Sequence, residues 1–167
     1  LQCSFPLKFI LVKLSQKFPL TLAIAHLDHG LRQQSKEEAK QVRNLALHYG
    51  LPFFFQSLDL LAEGGQGIEE RARNARYKFL ECTAQKFNAT AVATAHTADD
   101  QVETILMHFL KGSGIQGMAG MPFRRAISYG SAILLIRPLL EISKTTLVDY
   151  LKMHQISWCE DSSNQNL

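Results

Sequence analysis

The chain has no CxxC pair and no cysteine framework. Its three cysteines, Cys3, Cys82 and Cys159, lie far apart. A disulfide scaffold is therefore excluded, and reduced thiols in a cytoplasmic setting are the expectation. Long apolar runs are missing too: none approaches the roughly 18 residues that a membrane span requires. Pro6, Lys8 and Lys13 interrupt what would be the apolar region of a signal peptide, so no membrane partner is expected. A strong excess of one charge is lacking as well, and a net charge of +3 permits contact with a polyanion without demanding it. Repeats, low-complexity tracts and an evident linker are also absent. What remains is 46% hydrophobic and 20% charged over 167 residues. That balance excludes disorder and suits one globular domain with a core.

The hydrophobic pattern alternates between two periods. Residues 7–17 place Leu7, Ile10, Leu11 and Leu14 on one helical stripe, and helices are also predicted over 35–49, 68–87, 98–111 and 144–154. The 35–49 helix opens on SKEE, a capping-box spacing, and stops at Gly50, a residue suited to follow a helix end. Short apolar runs in 20–28, 51–60, 90–96 and 132–140 read as strands. Strands alternating with helices predict an α/β fold: a parallel, doubly wound, Rossmann-like sheet with helices on both faces. In such folds ligands bind beyond the carboxyl ends of strands. The polar clusters fall there, with HLDHGLR (26–32) after one strand and HTADDQ (96–101) after another.

Each cluster also has a plain structural reading. His26, Asp28 and His29 leave a strand together, yet nothing completes a tetrahedral zinc set, and a polar turn explains them equally. Asp99, Asp100 and Glu103 follow His96. Thr97 as N-cap with Asp100 at N3 makes a capping box, and acids in a first turn suit the helix dipole. However, positions 100 and 103 share a helix face, so their carboxylates can converge on Mg²⁺ or on an ammonium group. Sequence leaves capping and function both open. In IEERARNARYKF (68–79), a solvated helix face is the plainer reading, although Arg73 and Arg76 lie three apart and can present two cations to a phosphate. KGSGIQGMAGM (111–121) contains GxGxxG wording, but after a helix rather than between a strand and a helix, which is the wrong context for a dinucleotide loop. A bent active-site loop or a connector fits equally. Lys111, Arg124 and Arg125 flank it as candidates for RNA phosphates.

Taken in order, these segments resemble the tRNA(Ile)-lysidine synthetases of the N-type ATP pyrophosphatase superfamily. HLDHGLR is similar to that family's HxDHGLR, IEERARNARY to its helix ending ARxxRY, and AHTADDQVET (95–104) to HHxDDQxET. KGSGIQGMAGM is similar to RGSGxxGLxGM, RPLL (137–140) to RPLL, and WCEDSSN (158–164) to WxEDxSN. The resemblance implies an ATP- and Mg²⁺-dependent ligase. C2 of the wobble cytidine in tRNA(Ile) is adenylated, then attacked by the ε-amine of free L-lysine, giving lysidine, AMP and pyrophosphate. It further implies catalytic roles for His96, Asp100 and Glu103, with the lysine held by Asp100 and Glu103. Ala25, His26, Asp28, Arg73, Arg76, Ala95 and His96 would serve ATP, and Gly112, Ser113, Gly114 and Gly117 an active-site loop. Asp99 or Asp100 would offer Mg²⁺ an oxygen, and a homodimer is a candidate assembly.

The chain departs from the family pattern at three places. The phosphate-gripping SGGxDS is absent ahead of the 7–17 helix, where Cys3 and Ser4 stand instead. The basic segment after the EDxSN motif is absent as well, and Thr97 stands where the family has a second histidine. The expectation is a single ATP-pyrophosphatase-type domain, truncated at both ends, that binds ATP poorly by itself. Two other readings stay open: a different ATP pyrophosphatase such as a tRNA thiolase, and a non-catalytic nucleotide-binding remnant. Against the first, thiolases acting on cytidine carry cluster-binding CxxC cysteines, which this chain lacks.

Overall fold

The structure, a computed structural model, describes residues 4–28, 35–58, 67–112 and 119–155. The elements run α1 (Ser4–Ser15), β1 (Ile24–Asp28), α2 (Ser35–His48), β2 (Phe53–Ser57), α3 (Ile68–Lys86), β3 (Ala91–Ala93), α4 (Ala98–Leu110), β4 (Arg124–Ala126), β5 (Leu134–Ile136) and α5 (Lys144–Met153). All nine elements expected from the pattern are present. The strands are shorter than their apolar runs, because only part of each run finds a ladder partner.

β1 and β2 pair in parallel, with Ile24 opposite Phe53 and Asp28 opposite Ser57. β3, β5 and β4 form a second sheet in that order. Leu134 N–H donates to the Thr90 carbonyl and Thr94 N–H to the Ile136 carbonyl, pairings that advance together along the chain, so β3 and β5 run parallel. β4 was not expected. Ile127 N–H donates to the Ile133 carbonyl and Arg137 N–H to the Phe123 carbonyl, so this strand folds back on β5 as an antiparallel edge. Its three residues RRA carry no apolar alternation, and the hairpin turn at Ser128–Ser131 creates the pairing instead. Antiparallel edges on otherwise parallel sheets are common in α/β folds. Arg124 and Arg125 thus lie on a strand rather than on a loop.

The chain divides into two compact units. One comprises Leu1–Leu11, Ala93–Arg125 and Leu135–Leu167; the other comprises Val12–Val92 and Ala126–Leu134. The core of the first gathers Leu7, Leu139 and Leu147, with Ile10, Leu11, Ala93, Ala95 and Ile142 against them. Leu135 and Leu151 are also buried, and Phe9 meets Tyr150 edge to face at 6.5 Å. In the second unit Ile24, Val42 and Ala46 are buried, with Leu45, Leu51 and Phe53 packed around them.

Helix stripes were read from sequence with uneven success. In α1 Leu7 is buried but Leu14 is 37% exposed, while Phe9 and Val12 are buried. SFPLKFILVKLS is apolar on most sides, so periodicity alone does not select its buried face. α4 is the opposite case. It buries none of its residues, and Val102, Leu106, Met107, Phe109 and Leu110 are exposed. Among the described residues no helix is long and apolar enough to cross a membrane.

Candidate functional site

The acidic turn is built from the strand outward. After β3, Thr94 ties its N–H to the Ile136 carbonyl, and its hydroxyl lies 3.0 Å from Nδ1 of His96. Thr97 is fully buried and extended, with φ −113° and ψ 177°, and it caps α4. Its N–H and its hydroxyl both donate to Oδ2 of Asp100 at 2.7 Å, and Asp100 N–H donates back to Oγ1 at 3.5 Å. The predicted capping box is therefore formed. Only one carboxylate oxygen of Asp100 is used this way, which leaves Oδ1 for another partner.

That partner comes from α5. Lys144 Nζ lies 3.5 Å from Oδ1 of Asp100 and 3.8 Å from Oε1 of Glu103. The two acids, three positions apart, do converge on a single ammonium group. Burial pushes the Asp100 carboxyl up. The two Thr97 hydrogen bonds, the Lys144 charge and the His96 charge outweigh it, and hold the group below the ordinary aspartate range. Asp99 faces elsewhere: Lys144 N–H donates to its Oδ2 at 2.8 Å, while Ala98 N–H donates to the Ile142 carbonyl at 3.0 Å. The adjacent aspartates thus divide, with Asp99 capping the start of α5 and Asp100 capping α4 and facing the ammonium.

Sequence reading overlooked Lys144. A signal existed. A lysine as first residue of a helix opposes the helix dipole, an arrangement that costs about 0.3–1 kcal/mol unless carboxylates answer it. Gln101 was also left without a role. Its amide Nε2 donates to the Met121 carbonyl at 3.0 Å and its Oε1 accepts the Met121 N–H at 2.7 Å, as a strand neighbour would. This clamp holds the last residue of the glycine-rich segment, and Arg137 Nη1 holds the next residue by donating to the Pro122 carbonyl at 2.7 Å.

The glycine-rich segment is described only at its two ends, so Ser113, Gly114 and Gly117 lie outside the described residues. Gly112 has φ +71° directly after the α4 C-cap and ends the helix in the left-handed conformation. Gly120 has φ +66°, and a Cβ there would lie 2.8 Å from the Gln101 amide. Replacing Gly120 with alanine is expected to cost about 2 kcal/mol, combining left-handed strain with loss of the clamp. Urea denaturation followed by circular dichroism would measure it, and a cost below about 0.5 kcal/mol would contradict this account of the turn.

The residues expected to serve a nucleotide are divided between the two units. Ala95 and His96 lie on the segment just described. In the other unit, Ala25, His26 and Asp28 lie along β1, His26 at its middle and Asp28 at its carboxyl end. His26 lies flat against Phe55 with centroids 6.2 Å apart and planes 9° apart, and Asp28 is buried at the strand's last position. His29 and the rest of HLDHGLR lie outside the described residues, as does WCEDSSN. On α3, Arg73 is exposed with its guanidinium 5.8 Å from the Tyr77 ring centroid, and Arg76 is half-buried one turn on. Lys111 is the exposed C-cap of α4, Arg124 is exposed on β4, and Arg125 is half-buried. Among the described residues no group of three or more histidine, cysteine or acidic side chains could hold a metal ion. A Mg²⁺ brought by nucleotide phosphates would take an oxygen from Asp99 or Asp100, since that ion keeps most of its water and needs only one or two carboxylates from a protein.

Comparison with known proteins places the fold. The chain is 38% identical over 165 residues to the tRNA(Ile)-lysidine synthase of Ruegeria pomeroyi, a match spanning 98% of this chain and 38% of that protein. It is 42% identical over 149 residues to the tRNA(Ile)-lysidine synthase of a Bradyrhizobium species, covering 89% of this chain and 40% of the relative. The chain therefore spans well under half the length of these curated relatives. Among solved structures, the U34-tRNA thiolase NcsA from Methanococcus maripaludis superposes with a TM-score of 0.77 at 14% identity, over 95% of this chain and 56% of that one. At that identity the likeness concerns the fold alone. The sheet arrangement and the ordered motifs agree with a family profile described as the PP-loop domain, which matches residues 3–167: the chain belongs to the PP-loop domain family.

Proposed function

We propose that the intact protein carrying this domain makes lysidine. ATP adenylates C2 of the wobble cytidine of tRNA(Ile) with release of pyrophosphate, and the ε-amine of free lysine displaces AMP. The observation that carries this reading is the convergence of Asp100 and Glu103 on one ammonium group, 3.5 and 3.8 Å from their oxygens. The relatives that match most of this chain support it, because they are named tRNA(Ile)-lysidine synthases. The α/β fold, the absence of a CxxC and the setting of a tRNA-modifying enzyme also fit the cytoplasm.

In this reading Asp100 holds the charged amine. A carboxyl kept below its ordinary range is a weak base, so Asp100 orients the ammonium, and Glu103 takes the proton before attack, with His96 beside them. Ala25, His26 and Asp28 lie beside adenine, in keeping with ligand binding at strand ends, with Ala95 and His96 assigned to ATP as well. Arg73 and Arg76 meet phosphate oxygens. Mg²⁺, when bound, neutralises triphosphate charge. Lys111, Arg124 and Arg125 are the cations for tRNA phosphates.

The test is direct. The intact protein, supplied with ATP, L-lysine and a tRNA(Ile) transcript bearing a wobble cytidine, is expected to release AMP in step with lysine and to add one lysyl group to that cytidine by mass spectrometry. AMP release independent of lysine, or sulfur transfer to the tRNA, would overturn the reading.

A further inference from the structure

We propose that Lys144 is a resident competitor at the amine site, a displaceable cation that substrate lysine must evict. The inference rests on the lysine-transfer reading of the same acids. Its basis is that the group seated between Asp100 and Glu103 is chemically the reacting end of that substrate: a primary ammonium on a four-carbon stem. The contacts of 3.5 and 3.8 Å exceed the roughly 2.7–2.9 Å of a well-made N–H···O⁻ bond, so the resident is held loosely. Oδ2 of Asp100 is committed to Thr97, which leaves Oδ1 as the oxygen that Lys144 and an incoming amine would both need. Two ammonium groups at contact distance repel, so the two cannot share it.

The geometry also provides an exit. Lys144 is anchored through its backbone, whose N–H donates to Asp99, while its side chain is 36% exposed. Its head can swing to water without disturbing the start of α5. Such a resident imposes one displacement cost on every amine, a common factor on KM. A simple alkylamine has only its ammonium group with which to meet that cost. Free lysine carries an α-carboxylate and an α-amine that can add contacts elsewhere, and so can meet it at a lower concentration. Lys144 therefore sets the affinity an amine needs to enter the site, and is not a reacting residue.

The experiment compares wild type with Lys144→Met and Lys144→Arg in the intact protein, using L-lysine and n-butylamine as alternative nucleophiles. Exposed ion pairs are weak, so removing the resident is expected to lower the KM for lysine by about two- to fivefold. The KM for n-butylamine should fall by the same factor in that variant, because both amines displace the same resident. Lys144→Arg keeps a cation and should hold the KM at or above the wild-type value. A KM for lysine that stays unchanged or rises in Lys144→Met overturns the inference. If wild type itself shows no lysine-dependent AMP release, the underlying reading fails instead, and the two failures are told apart. Thermal melts matching wild type establish that the variants are folded.

Discussion

Replacing Asp100 with asparagine is expected to cut transfer to lysine on the order of 100-fold or more, the scale lost when a charged group that positions a reacting amine is neutralised. The fold should survive. Asparagine keeps a side-chain oxygen that can accept the Thr97 N–H now bound at 2.7 Å, so the α4 cap persists without its charge. Lysidine formation at saturating lysine gives the measurement, with ATP–pyrophosphate exchange followed alongside to isolate the transfer step. Near wild-type transfer would remove Asp100 from the amine site. The same variant carries a pH signature. Asp100 titrates below its ordinary range in the folded chain, so the stability it contributes is fully present above about pH 4, the unfolded value. It is lost as the pH falls through the lower folded value. The stability difference between wild type and Asp100→Asn should accordingly shrink on acidification below pH 4, and denaturant titrations across that window would show it.

The largest stability effect is expected at Arg137, the first residue of RPLL. This residue is 2% exposed, in a stretch of the chain where Leu135, Leu139 and Leu140 are buried too. Its Nη1 donates to the Pro122 carbonyl at 2.7 Å, and its backbone N–H donates to the Phe123 carbonyl at 2.9 Å. Arg137→Ala leaves both a cavity and a carbonyl without its donor. Together these are expected to cost about 3–4 kcal/mol. Arg137→Met refills most of the volume and should recover roughly half of that loss. Urea unfolding decides the matter, and a loss below about 1 kcal/mol for the alanine variant would show that the side chain is not a strut. The arginine of RPLL is thus a structural residue that fixes the chain leaving the glycine-rich segment.

How far the sequence carries can be judged element by element. The order of strands and helices was legible because each long segment keeps one hydrophobic period, and the Thr97 cap was legible because a capping box is a local pattern. β4 was not. RRA has no strand signal, and its pairing comes from a hairpin whose partner is distant by ten residues. Lys144 was out of reach for a similar reason: its ion pairs span more than forty positions, and only its awkward place at a helix start hinted at an acidic partner. Gln101 shows a third kind of limit. A glutamine in a helical pattern reads as surface, and its use as a mimic of a strand neighbour depends on where Met121 arrives. The nucleotide residues were legible chiefly through the family resemblance, because no local pattern ties a strand end to a ligand.

One detail of the acidic turn reaches beyond chemistry. Helices ordinarily fray from their ends, each by itself. Here the first turns of α4 and α5 are stitched to each other, Ala98 N–H to the Ile142 carbonyl and Lys144 N–H to Asp99. Neither beginning can loosen without undoing bonds of the other. The acids are therefore kept in place by a joint opening event, and their order is set by the stability of two helices at once.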